Sequence, residues 1–430
     1  MTLATTGKKT KKQKDWKPEE ESKLSRLQKG IIAAAISFIP FLFLVILPIM
    51  ARENFSSNLI VSRDIFLSAP EQINLSSSEA IQPTFKLNIK GVEFKIPDTF
   101  TPVRITDDSV EFRIEPRHDS KCIYVCSRPY ENTIKYAEEG LARWFMPTSL
   151  QEYVEKILNA TWHPIRLMFK AQFFASEGIT GKIYQADWDA NHHGYIFPVK
   201  GDRGYLGRIF RDKNQGYFEF LVADSIHHVS LQEWMNLAIR IKPPLPSENE
   251  TTASISSDIN FLTEEASIPA KQNQILSFAL SGFFKTSSVE WLIPVARVMQ
   301  QRKFYPELLD MHKQFFKDFS RDETWKAAWK NMFDSTVKQI ITTDIDPENL
   351  NREIKIYCKN LTALEIGQVW LRITVKSTDD SEKSFVAPLL KQSRLIEDQE
   401  KEIFLQLPED ISLANKASVY SNVVQIDFIR

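Results

Sequence analysis

The sequence predicts a multidomain α+β protein: one transmembrane helix, an α/β sandwich, a helical hairpin unit and a C-terminal β-sandwich. That class follows from an uncharged run of 21 residues, Ile31–Ala51, and from two changes of hydrophobic period further along the chain. Alternation of period two dominates 85–242, helical spacing dominates 270–345, and alternation returns over 350–430.

The N-terminal tail, 1–29, carries nine basic and four acidic groups, a net +5. Ile31–Ala51 follows it, and a helix of that length at ~1.5 Å per residue spans about 30 Å, the hydrocarbon thickness of a bilayer. Only Arg52 and Arg63 are basic between Ala51 and Ala80. Basic residues stay on the cytoplasmic side, so the reading places 30–51 in the inner membrane with the N-terminus inside. The bulk would then be periplasmic, or otherwise extracytoplasmic. The expected partners are the lipid bilayer and other membrane or periplasmic proteins. The remaining 401 residues carry a net −6. That balance argues against nucleic acid, which needs a basic surface.

Residues 52–84 are rich in Ser, Asn and Pro and read as a stalk. In 85–242, Phe85, Leu87 and Ile89 alternate, then Val92, Phe94 and Ile96, with a turn at Lys90–Gly91. Val110–Ile114 and Cys122–Cys126 supply further strands. Ser149-Leu-Gln-Glu152 and Ser230-Leu-Gln-Glu233 are capping boxes that open helices. Between them, strands are expected around Phe169–Ala175, Gly181–Asp187, Gly194–Pro198, Tyr205–Arg211 and Gly216–Ala223. The order of elements and the opening F-x-I-P-x-x-F (Phe94, Ile96, Pro97, Phe100) resemble the PsbP-like α/β/α sandwich. That resemblance implies a mostly non-catalytic module with no fixed active-site residues.

Residues 243–269 are Pro-, Ser- and acid-rich and read as a flexible linker. In 270–345 four helices are expected. The first carries Ile275, Phe278, Ala279 and Leu280, and the second is capped by Ser287-Ser-Val-Glu290 and bent at Pro294. A third starts at Pro306, and a fourth runs from about Glu323 to Ile341. Residues 350–430 read as a β-sandwich, with Val369, Leu371, Ile373 and Val375 alternating with Trp370, Arg372, Thr374 and Lys376. The order of strands, with Asn360 at a turn, resembles the FxLyD-type immunoglobulin-like modules of envelope proteins. That resemblance implies binding or spacing.

Chemistry-bearing residues are few. His192–His193 and His227–His228, with Asp187, Asp189 and Asp224, are the metal candidates. Neighbouring histidines on a strand face opposite ways, so each doublet offers one ligand per face, and zinc needs three or four. No G-x-S-x-G turn is present. Cys122 or Cys126 with His118 is the one thiol–imidazole pairing. Cys122 and Cys126 stand ~13 Å apart along a strand, too far for a disulfide, and Cys358 reads as a buried thiol. Gly201–Gly207 reads as a turn, and Asp344, Asp346 and Glu348, which lack the glycine of a calcium loop, read as a solvated interdomain turn. Asn54, Asn74, Asn159, Asn249 and Asn360 sit in sequons, which matter only in a eukaryotic secretory pathway. The reading is a non-enzymatic, single-pass envelope scaffold that binds partner proteins, without cofactor, metal or catalytic residues. A tethered hydrolase using 85–242 and a small-ligand or metal sensor are the alternatives. Of the aromatics of the helical unit, Phe283, Phe284, Trp291, Phe315, Phe316, Trp325 and Trp329, most are expected in the core, with a surplus left to form an interface.

Overall fold

In the computed structural model most of 61–429 is described. Outside the described residues lie 1–60 (apart from 31, 38, 42–47, 49 and 50), 76–82, 118, 129–149, 190–191, 200–202, 211–215, 243–258, 320–322, 347–352, 377–380, 391–393, 409–410, 412–417 and 430. The fold is mixed α+β.

After a short helix α1 (Arg63–Leu67) come β1 (Glu71–Ile73), β2 (Thr84–Ile89), β3 (Val92–Pro97), β4 (Thr101–Ile105), β5 (Ser109–Arg113) and β6 (Cys122–Arg128). Helices α2 (Leu150–Leu158) and α3 (Pro164–Glu177) precede β7 (Tyr184–Asp189), β8 (His192–Val199), β9 (Gly204–Phe210) and β10 (Tyr217–Ala223), and α4 (Leu231–Ala238) closes this part. Eight strands form one sheet in the order β1-β7-β8-β9-β10-β6-β5-β4. Only β1 runs parallel to its neighbour β7; the stalk thus contributes an edge strand.

The β2–β3 hairpin turns through Lys90 (φ 49°) and Gly91 (φ 87°). Both central residues are left-handed, as a type I′ turn requires, and Asn88 Oδ1 accepts the Gly91 N–H at 2.9 Å. The hairpin covers one face of the sheet, with Phe85 edge-on to Phe112 and Phe94 edge-on to Phe218. Trp234 of α4 is fully buried there and donates its indole N–H to Phe220 O (3.1 Å). The opposite face carries α1–α3, with Phe66 against Phe174 and Phe173 against Phe197.

Five more helices follow: α5 (Ile259–Glu265), α6 (Gln272–Thr286), α7 (Leu292–Gln301), α8 (Tyr305–Phe319) and α9 (Glu323–Ile340). They extend the first core, which runs unbroken from Phe85 to Met332. Arg302 fastens the joint. Its guanidinium donates to Phe100 O (3.0 Å), Thr101 Oγ1 (3.1 Å), Gln272 Oε1 (2.9 Å) and Asn273 Oδ1 (2.8 Å). The chain ends in β11 (Ile341–Ile345), β12 (Glu353–Asn360), β13 (Ile366–Lys376), β14 (Glu382–Pro388), β15 (Glu400–Gln406) and β16 (Ser418–Phe428). These make two three-stranded sheets, β11-β12-β15 and β14-β13-β16. Tyr305 and Leu309 of α8 and Val337 and Ile340 of α9 enter the core between them.

Several expectations are corrected. The transmembrane helix of the expected fold class is overturned: among the described residues no helix is long and apolar enough to cross a membrane. Leu42–Ile46 form a π-helical turn of five residues. Pro48 has no N–H to return to the carbonyl four residues back, and π turns gather where that ladder is interrupted. The rest of Ile31–Ala51 lies largely outside the described residues. The strand expected at Phe169–Ala175 is the middle of α3. His163 caps that helix by accepting the Arg166 N–H, Pro164 occupies the first turn, and Gly178 (φ 62°) ends it.

The Ser287 capping box does not form, because Ser287 (φ 54°) is the left-handed cap that ends α6. Pro294 sits in the first turn of α7, where a missing N–H interrupts no helical hydrogen bond. The described part of the expected linker, 259–269, holds α5, whose Leu262 is buried in the core. Asp344 belongs to strand β11, not to a turn.

Candidate functional site

The histidine doublets do not meet. His193 pairs in register with Phe210, which pairs with Tyr217 at the start of β10, whereas His227 and His228 follow Ala223 at its end. Six residues of strand, about 20 Å at ~3.3 Å each, separate the two levels. Within the first doublet, His192 packs beside Phe218 on the hairpin face. His193 lies beside Phe210 and accepts from Gln151 Nε2 (2.8 Å) on the other. His227 is exposed in a turn built by Asp224, whose Oδ1 accepts the N–H groups of Ile226 (2.9 Å) and His227 (3.0 Å). Burial pushes the Asp224 carboxyl up, but those backbone donors outweigh it and hold it below the usual range. Among the described residues no three His, Cys, Asp or Glu side chains converge as a metal site.

The thiols are no better placed for chemistry. All three cysteines are free and buried. Burial, reinforced by Glu219 and Asp108, pushes Cys126 up to about 11, and burial pushes Cys358 to about 11. A thiol raised so far is a poor nucleophile at neutral pH. His118, Glu348, Asn54 and Asn249 lie outside the described residues, as do 201–202 of the glycine-bearing segment. Asn74 and Asn159 are exposed, whereas Asn360 is fully buried.

Lys170 and Arg208 are among the buried charges that went unread in the sequence. Lys170 of α3 is fully buried and donates to Ser68 O (3.0 Å), Leu158 O (2.7 Å) and Ala160 O (3.2 Å). Burial pulls its ammonium down to about 7, while the three carbonyls favour the charged form. Arg208 donates to Glu219 (2.8 Å) and Glu177 (3.1 Å), and the ring of Tyr217 lies 5.1 Å away. Burial opposes its charge, and the two carboxylates overcome that opposition. Both groups tie elements together.

The aromatics of the helical unit turn mainly inward. Phe283, Trp291, Phe315 and Trp329 are buried, Phe284 and Trp325 are partly buried, and Phe316 alone of the seven is 49% exposed.

A convergent surface does exist, on the outer face of β14-β13-β16. Val369, Leu371, Ile373 and Val375 of β13 point into the sandwich. Strand alternation therefore turns Trp370, Arg372, Thr374 and Lys376 outward. Register sets Trp370 opposite Pro388 and Gln425, Arg372 opposite Val386 and Asn422, and Thr374 opposite Tyr420. Val386 is 47% exposed, Tyr420 55% and Val424 39%. Val424 is the extra residue where the register shifts between Trp370 and Leu371, a bulge of the kind that re-aims a side chain. Arg372 is exposed and makes no hydrogen bond or ion pair among the described residues. The result is an apolar and aromatic patch around one uncompensated guanidinium. The alternation that makes this face was legible in the sequence; the neighbours contributed by β14 and β16 were not.

Comparison with protein-family models, with curated proteins and with solved structures returned no match, so the likeness to PsbP-like and FxLyD-type modules remains a resemblance of pattern.

Proposed function

We propose that this chain is a non-enzymatic binding component that docks a partner protein on the outer face of β14-β13-β16. The observation that supports this reading is the clustering of Trp370, Tyr420, Val386 and Val424 around Arg372 on a solvent-facing sheet. Trp, Tyr and Arg are the residues that dominate binding energy at protein interfaces. An exposed apolar patch on a three-stranded sheet is a feature that binding would bury. The partner this chemistry fits offers a carboxylate for Arg372 inside an apolar rim. The scattered histidines and raised thiols give catalysis no comparable support.

The test is cross-linking of the full chain in its native cells, followed by mass spectrometry, beside a Trp370→Ala/Arg372→Glu double variant. Wild type is expected to yield a near-stoichiometric partner cross-linked through Lys376 or Lys383. The variant should lose it, since a single hot-spot residue is worth at least about 2 kcal/mol, or roughly 30-fold in affinity. The variant's circular dichroism and melting temperature should match wild type. Recovery of the protein alone, or a partner retained by the variant, refutes the reading.

A further inference from the structure

A cleft of about 280 Å³ opens at the seam between the eight-stranded sheet and α8, lined by β4, β5 and one face of that helix. Glu307, Asp310, Met311 and Gln314 stand at helical spacing on α8 and face the strands together. The floor is charged and buried: Arg113 and Glu307 are 9% and 8% exposed. Arg113 donates through Nε (3.1 Å) and Nη2 (2.7 Å) to Glu111 Oε1, and its Nη1 lies 3.7 Å from Glu307 Oε1. Two carboxylates thus share one guanidinium, and the floor is net negative.

The rim carries Asp310 and the exposed Arg104, whose guanidinium makes no hydrogen bond or ion pair among the described residues. The remaining wall is apolar: Val103, Ile105 and Met311. Gln314 Nε2 donates to Ile105 O (2.9 Å) and holds helix and strand together beside the cleft.

We propose that this cleft binds a small zwitterion of amino-acid size with an apolar side chain. Its ammonium would be taken by Glu307 and Asp310, its carboxylate by Arg104, and its side chain by Val103, Ile105 and Met311. Each end needs its own counter-charge. A net-negative floor attracts an ammonium, and a guanidinium at the rim matches a carboxylate in a forked, two-bond geometry. The burial of Glu307 strengthens the ammonium's interaction relative to bulk water. Charge bound at the seam would also clamp α8 to the sheet, so ligand and stability are linked.

Calorimetric titration and thermal shift of the full chain test this with three probes: L-leucine, isoamylamine (the same skeleton without the carboxylate) and 4-methylpentanoate (without the ammonium). L-Leucine is expected to bind saturably and raise the melting temperature. Each one-ended analogue should bind at least about tenfold more weakly, the ratio for ~1.4 kcal/mol. Arg104→Ala should weaken L-leucine about tenfold and leave isoamylamine unaffected. Asp310→Ala should weaken both amines, and because both positions are on the rim these variants should keep the wild-type fold. No saturable signal from L-leucine at about 10 mM, analogues that bind as tightly as L-leucine, or variants that bind undiminished would each overturn the proposal.

Discussion

Asn360 is the side chain whose removal should most clearly damage the C-terminal sandwich. It is fully buried at the end of β12. Its Nδ2 donates to Leu364 O (2.7 Å) and Leu395 O (3.1 Å), and its Oδ1 accepts from Thr362 N and Thr362 Oγ1, both at 3.0 Å. Asn360→Ala breaks all four, with unequal consequences. Leu395 O keeps the Ile366 N–H at 3.0 Å, and the Thr362 hydroxyl can turn fully to Leu364 O, already 3.5 Å away. The Thr362 N–H is left buried without an acceptor. One stranded donor at about 1–3 kcal/mol, with lost net bonds at about 1 kcal/mol, gives a loss of roughly 2–4 kcal/mol. Asn360→Asp should be worse at neutral pH, because a carboxylate would face two carbonyl oxygens, and should recover part of the loss when protonated in acid. Urea unfolding of wild type and both variants at pH 7 and pH 4.5 measures this. A loss below about 0.5 kcal/mol for Asn360→Ala, or an Asp variant as stable as the Ala variant at pH 7, would refute the reasoning. The same burial predicts that the Asn360 sequon is closed to glycosylation in the folded chain.

Further outcomes are open to measurement. His312 is stacked on Phe333 (4.3 Å) and Trp329 (5.5 Å), and burial holds its imidazole down to about 4 against an ordinary 6.5. As pH falls from 6.5 towards 4 the unfolded chain takes up a proton that the folded one refuses, so stability should fall by up to about 3 kcal/mol. His312→Phe should flatten that slope in urea titrations; parallel pH curves for the two proteins would contradict it. At Gly207 an added Cβ would stand 2.6 Å from Cη2 of the buried Trp234. Gly207→Ala should therefore cost about 1–3 kcal/mol in the same assay, and a change within error would count against the packing argument. Cys122, Cys126 and Cys358 should resist alkylation at pH 8 until denaturant is added, since all three are buried. Rapid native labelling of any of them, read by mass spectrometry, would show otherwise.

What the sequence revealed follows from how local each signal is. The Lys90–Gly91 turn and the alternation of Val369 to Val375 were readable because chirality and strand parity act within a few residues. Phe169–Ala175 misled because Phe169, Ala171, Phe173 and Ala175 alternate, while Leu167, Lys170, Phe173 and Phe174 trace the helical stripe that is buried. The deciding signals lay outside that window, at His163-Pro164 and Gly178. Strand β11 went unseen because no Gly or Pro separates it from α9: Ile340 ends the helix and Ile341 begins the strand. The joint made by Arg302 and the charged cleft beside Arg113 depend on partners about 200 positions away, such as Thr101 and Glu307. No periodicity marks such pairs. Composition counts the helical aromatics but not how many the core consumes, so it could not say that Phe316 alone of the seven is left exposed.

The unbroken passage from α9 into β11 has a mechanical consequence. Trp329 and Met332 of α9 belong to the first core, Val337 and Ile340 to the second, and the next residue is already in a sheet. At ~1.5 Å per residue the helix is a rod of about 27 Å, gripped at both ends. A load applied to the sandwich that carries the Arg372 patch can therefore pass along this helix into the first core. Torque delivered at the far sandwich should arrive at the other end as rotation instead of being lost to bending.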